Sequence, residues 1–256
     1  MNTTFLVAVV FTFLIAFVFS MFGQGGGSVY SPLLILLGYP ILLSTSTSLV
    51  LNLITSLSAG YIFYRKKMID YKASLIFAPG ISIGAFIGGA LSKYFDTTIL
   101  LWLFVFFLVG VGLRMIYAYW EKERTEEKLP RPSMAMYALI ALFGSAVGFI
   151  AGLLGVGGGI FIVPFMIYVC KYPTKIAAGS SHLIISFSAL AGIIGHATSH
   201  SFDIPLIVAT GIAVLIAGNL GARLSMRFKT KMIRAGLGLI MLLFAAQILA
   251  RLFGLL

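Results

Sequence analysis

The sequence predicts an all-α polytopic membrane protein. It reads as two inverted-topology repeats, each a broken helical hairpin followed by three transmembrane helices. Three observations predict this. The chain is 60% hydrophobic and 10% charged, against about 25% charged in an ordinary soluble domain. Its apolar runs are continuous and roughly 20 residues long, which suits helices crossing a bilayer rather than the roughly 10-residue alternation of barrel strands. Its glycine-rich stretch occurs twice: "MFGQGGGSVYSPLL" from Met21 returns as "LLGVGGGIFIVPFM" from Leu153.

The duplication sets the boundaries. Gly23, Gly25, Gly26, Gly27 and Pro32 map onto Gly155, Gly157, Gly158, Gly159 and Pro164, a shift of 132. After one inserted residue the shift is 133: Tyr39-Pro40 maps onto Tyr172-Pro173, Ser48 onto Ser181 and Asp70 onto Asp203. Repeat one is residues 1–120 and repeat two is residues 133–256, joined by a charged linker at 121–132.

Each repeat contains the same elements. A long helix a runs to the glycines; the first, from Phe5 to Phe19, lacks a basic leader and is read as a retained helix rather than a cleaved signal. Helix b follows, about a dozen residues long and too short to cross alone, so a and b form a hairpin dipping into the bilayer. After the Tyr-Pro break come helices c, d and e, at 42–64, 72–94 and 97–120 in repeat one and 175–196, 203–226 and 231–253 in repeat two.

Loop charges orient the repeats. The first c–d loop, "RKKMIDYK", is basic and therefore cytoplasmic; its counterpart, "HATSHSFD", has no Lys or Arg. The bias reverses at the d–e loops, where Arg223, Arg227, Lys229, Lys231 and Arg234 surround the second. On this scheme 16 of the 18 Lys and Arg lie inside, all but Lys93 and Arg251, the linker is cytoplasmic and both termini are external. Oppositely inserted repeats are characteristic of secondary transporters, whose sites lie at the repeat interface near the midplane.

The glycines open helix b. A helix start presents unsatisfied N–H groups and a partial positive charge, which suits an anion. Two inverted copies would aim two such ends at the centre. The candidate substrate-binding residues are therefore Gln24, Gly25, Gly26, Gly27 and Ser28 with Gly157, Gly158 and Gly159. The bland reading is tight packing at a hairpin tip. Thr47 and Ser48 at the start of one helix c, and Ser180 and Ser181 at the start of the other, can donate to an anion or bond a carbonyl of their own helix.

The remaining polar residues narrow the chemistry. The net charge of +11 comes from residues flanking apolar runs, so no nucleic-acid partner is expected; the partners are membrane lipid and a small anion. All seven acidic residues, Asp70, Asp96, Asp203, Glu121, Glu123, Glu126 and Glu127, fall in loops or span ends, which argues against a carboxylate proton relay or cation site. His182 can carry a proton or touch substrate, or be a hydrogen-bonded structural residue. His196 and His200 are four apart, but two ligands are too few for a metal site. Asn52 and Gln247 read as amides that join helices, and Gly80, Gly84 and Gly88, like Gly144, Gly148 and Gly152, as close-packing positions. Cys170 is the single cysteine, so no intrachain disulfide forms. No cofactor is expected, nor an enzyme, since HExxH is missing and no carboxylate lies within a span.

GxGGGxxxxP after a first helix, then Tyr-Pro and a Ser/Thr-rich helix start, all duplicated, resembles the sulfite exporter TauE/SafE family of the toluene-sulfonate uptake permease group. The likeness covers essentially the whole chain. It implies secondary transport, without ATP, of a small sulfur-containing anion such as sulfite, thiosulfate, sulfoacetate or another organosulfonate, with export the expected direction and proton coupling through His182 an open expectation. An anion channel or an importer of another small anion is the alternative. Gln24 departs from the repeat, since Val156 stands at the matching position, and Ser44 and Thr45 face Ala177 and Ala178.

Overall fold

The computed structural model describes residues 3–92, 94, 98–117, 133–197 and 202–253. Lys93, Asp96, the linker with its four glutamates, His200 and both chain ends lie outside the described residues, as do the side chains of Arg234 and Arg251. The described residues form ten helices: α1 (Thr3–Met21), α2 (Gly27–Leu36), α3 (Ile41–Arg65), α4 (Tyr71–Leu91), α5 (Thr98–Tyr117), α6 (Met134–Leu154), α7 (Gly159–Tyr168), α8 (Thr174–Ala197), α9 (Ile204–Ser225) and α10 (Thr230–Leu252). Seven of them, α1, α3, α4, α6, α8, α9 and α10, contain spans long and apolar enough to cross a membrane. The chain is therefore a multi-pass helical membrane protein. α2 and α7 have 10 residues each, roughly 15 Å of helix, half of what a crossing needs.

The helix starts have local causes. Asp70 accepts from the Ala73 N–H and Asp203 from the Leu206 N–H, both at 3.0 Å, so the two repeated aspartates N-cap α4 and α9. That bond satisfies one orphan donor and places negative charge where the helix dipole favours it. α6 is capped in the same way by Ser133. Helices α1 and α6 both end in glycine-rich breaks. Gly23, Gly25 and Gly26 have φ of 79°, 74° and 107°, and Gly155, Gly157 and Gly158 have φ of 69°, 73° and 77°. These are left-handed conformations that a Cβ makes costly.

Packing partners exchange between the two halves. α4 packs on α6 as α1 packs on α9; α4 packs on α8 as α3 packs on α9; α3 meets α8, and α5 meets α10. The α4–α6 seam explains the glycines spaced by four. A Cβ on Gly80, Gly84 or Gly88 would collide with the carbonyls of Ala141, Ser145 or Phe149, and one on Gly148 or Gly152 with those of Ile81 or Ala85. The close approach of small-residue faces binds helices together in lipid, where apolar burial gives no net drive. α3 and α8 are the most buried spans and form the centre. α1 turns Leu6, Val10, Phe11, Leu14 and Val18 outward, an apolar face suited to hydrocarbon.

Candidate functional site

The two glycine breaks lie against each other in the middle of the molecule. A Cβ on Gly27 would meet the Val156 carbonyl at 2.6 Å, and a Cβ on Gly159 would meet the Gln24 carbonyl at 2.7 Å. The two contacts correspond, since Gly27 matches Gly159 and Gln24 matches Val156 in the repeat. Each break also packs on the start of the other half's central helix: Gly23 presses on Ala178 of α8 and Gly155 on Thr45 of α3. Side chains at these positions would drive the breaks apart.

Hydroxyls tie the breaks down. Ser48 of α3 lies 2.9 Å from the carbonyls of both Gly27 and Gly155. Ser181 of α8 bonds the carbonyls of Gly23 and Ala178. Each serine reaches the break of the opposite half. A hydroxyl has one proton, so in this conformation Ser48 and Ser181 donate to glycine carbonyls. Ser180, on another face of α8, turns to the loop before α4 instead, where its Oγ accepts from the Asp70 N–H at 2.8 Å. The other candidates stay near the breaks. Gln24 is 1% exposed and neither of its amide atoms has a partner; the Ser28 and Thr47 hydroxyls are likewise buried and unpaired. His182 is fully buried beside the Phe63 ring. Its Nε2 lies 3.1 Å from the Ser20 carbonyl while Nδ1 has no partner; a carbonyl only accepts, so Nε2 carries the hydrogen.

Asn52 was read from sequence as helix glue and its position says more. Its Oδ1 accepts from the Gly27 N–H at 3.2 Å, at the opening of α2. A Cβ on Gly25, Gly27 or Gly157 would run into its carboxamide, so this one side chain touches both breaks. Ser56, one turn on, has a buried hydroxyl without a partner and lies beside Gly25. Ser44, Ser48, Asn52 and Ser56 recur every fourth residue of α3 and are all fully buried. That stripe was the readable signal.

The Tyr-Pro and Asp motifs also meet across the halves. The Tyr172 hydroxyl donates to Asp70 Oδ2 at 3.1 Å, and burial first, then the Asp70 charge, pushes its phenol above the ordinary tyrosine range. Tyr39 lies close enough to Asp203 for that carboxylate to reinforce the rise that burial causes. The Tyr172–Asp70 end collects basic loops, since Lys175 Nζ donates to the Met226 carbonyl at 3.1 Å. This brings the 171–175 loop beside a cleft lined by Arg227, Lys229 and Lys231. Among the described residues no Asp or Glu lies inside a helix, and no group of three or more His, Cys, Asp or Glu is placed to hold a metal ion.

Comparison with known proteins finds membrane transporters. Residues 8–248 match the family model described as Sulfite exporter TauE/SafE. The chain is 28% identical to the probable membrane transporter protein YunE of Bacillus subtilis (strain 168), over 96% of this chain and 97% of that protein. It is 29% identical to a probable membrane transporter protein of Xylella fastidiosa (strain 9a5c), over 93% of this chain and 92% of that protein. No solved structure gives a significant match.

Proposed function

The chain belongs to the sulfite exporter TauE/SafE family of membrane transporters, and on that premise we propose that it is a secondary transporter of small sulfur-containing anions. Sulfite, thiosulfate and organosulfonates such as sulfoacetate are the proposed substrates, and export is the proposed direction. The observation that carries the reading is the contact between the two breaks. Two helix starts, at Gly27 and Gly159, come together with the unpaired Gln24 amide and the unpaired Asn52 Nδ2. Each helix start contributes about half a positive charge, and no carboxylate from the described spans opposes an anion there.

Inverted insertion completes the proposal. The exchange of packing partners between halves is what a pseudo-two-fold axis in the membrane plane requires. The basic loops gathered at the Tyr172–Asp70 end support a cytoplasmic position for that end by the positive-inside rule. The protein then sits in the cell (inner) membrane with both termini external and residues 121–132 cytoplasmic. Substrate passes when residues 1–120 and 133–256 rock against each other around the breaks. His182 is proposed to couple flux to protons, because its Nδ1 is buried and open to one.

The test is uptake of labelled sulfite into proteoliposomes, competed by sulfate, thiosulfate and taurine, with and without a proton gradient. Saturable, gradient-sensitive uptake is the expected result, and the competition order names the substrate class. Flux that rises linearly with concentration would make the protein a channel. No flux of any anion by folded, inserted protein would remove the transport reading.

A further inference from the structure

We infer that Asn52 is a substrate-contacting residue, the group that supplies a hydrogen-bond donor from the carboxamide side to an anion held between the two breaks. The inference rests on the anion-site reading and deepens it. Asn52 is fully buried, and its two ends have different fates. Oδ1 is engaged by the Gly27 N–H at 3.2 Å, which fixes the flip of the amide. Nδ2 therefore points the other way, against Gly157 and with no partner. A buried NH2 with two idle hydrogens is costly and needs an acceptor.

The surroundings restrict what that acceptor is. The glycines at 25, 27 and 157 leave the room that the carboxamide fills; a Cβ on any of them would overlap it. Ser56, whose hydroxyl is also unpaired, lies with Asn52 beside Gly25, and the Gln24 amide and the Thr47 hydroxyl are further unpaired groups of the first half. The matching positions in the second half carry Val156, Ile185, Ala189 and Ser180, and the Ile185 methyl packs where a Gly159 Cβ would stand. Donors thus approach a ligand mainly from one side. The ligand this fits accepts hydrogen bonds on one pole and presents a less polar pole to the second half, as the oxygen face and the opposite face of sulfite, thiosulfate or an organosulfonate do.

Asn52→Asp tests this against a merely structural role. The substitution keeps an oxygen for the Gly27 N–H and removes the NH2. If Asn52 only anchors α2, the variant behaves as wild type. If it contacts substrate, the KM for sulfite rises by about 30-fold or more, because a site built to donate is left with an acceptor, and methanesulfonate loses its protection against thermal unfolding. Asn52→Leu, apolar and similar in size, carries the test should the aspartate prevent folding, and the same rise in KM is expected. Gly158→Val serves as the parallel arm. Wild-type KM in folded Asn52 variants, with flux abolished in Gly158→Val, would overturn the Asn52 assignment and leave the paired-break site standing. Absence of saturable sulfite, thiosulfate or methanesulfonate flux in the wild-type protein would overturn both.

Discussion

The two glycine breaks share a backbone but not a chemistry. At Gly23, Gly25 and Gly26 and at Gly155, Gly157 and Gly158 the chain adopts left-handed φ at matching positions, and a serine from the opposite half secures each break. Around the first break, however, stand Gln24, Asn52 and Ser56 with unpaired polar atoms, where the second has Val156, Ile185 and Ala189. The geometry that lets a chain reverse inside a membrane is needed twice. On the proposed anion site, the groups that meet a ligand are needed once. A duplicated chain can thus keep its glycines in both copies and divide the recognition unequally between them.

The largest effect should come from breaking what the halves share. Gly26→Val and Gly158→Val both place a β-branched residue at positive φ, costing about 1–3 kcal/mol in backbone strain alone, before the Gly26 Cβ meets the Tyr30 ring at 2.7 Å. Flux should fall at least 100-fold by the proteoliposome assay, an order-of-magnitude expectation from misplaced helix starts, with membrane insertion retained. Equal loss from both copies would show that both breaks serve transport. Breaking what differs should do less. Gln24→Val makes the first break resemble the second and should raise the KM for sulfite roughly 10-fold, the worth of about one hydrogen bond. Val156→Gln should not lower it.

A third comparison concerns histidine. His182 matches Leu49 of the first half. His182→Leu should flatten the pH dependence of flux, and an unchanged profile would end its coupling role. The two ends of the molecule offer a smaller contrast. Tyr172→Phe removes a phenol–carboxylate bond and should lower stability by about 1.5–3 kcal/mol, read by thermal unfolding. Tyr39→Phe should change it little. Because burial and Asp70 raise the folded Tyr172 pKa, its contribution is fully present below about pH 10, the unfolded value, and declines only above it. Ser48→Ala and Ser181→Ala should each cost about 1 kcal/mol, less than Tyr172→Phe.

Much of the frame was legible because membrane helices are written in long apolar runs and breaks in Gly and Pro. The ten helices fall where the duplicated motifs place them, with ends shifted by up to three residues: helix d, read as 72–94, is Tyr71–Leu91. The aspartates at 70 and 203 were visible as a repeated pair outside the spans, and they cap helices. What could not be read was contact. A repeat shows that Tyr39 resembles Tyr172 and Asp70 resembles Asp203; it does not show that Tyr172 bonds Asp70 of the other half. Asn52 was hidden for a related reason. An intramembrane amide usually joins helices, and what distinguishes this one is the nearness of Gly25 and Gly157, which lie 132 residues apart in sequence. The Ser180 hydroxyl, paired with the Asp70 backbone, differs from its neighbour Ser181 only through helix phase, and two adjacent serines do not announce which one turns inward.

The crossed serine bonds bear on how the chain is made. Synthesis and insertion proceed from the N-terminus, so Gly23 enters the bilayer before Ser181 exists, and its carbonyl waits for a donor encoded 158 residues later. The early half must therefore dwell in the membrane with an unfinished turn, shielded by water, lipid headgroups or an insertion chaperone. The late half finds its own partner, Ser48, already present when Gly155 arrives. Maturation is thus a closing of the first turn by the second half.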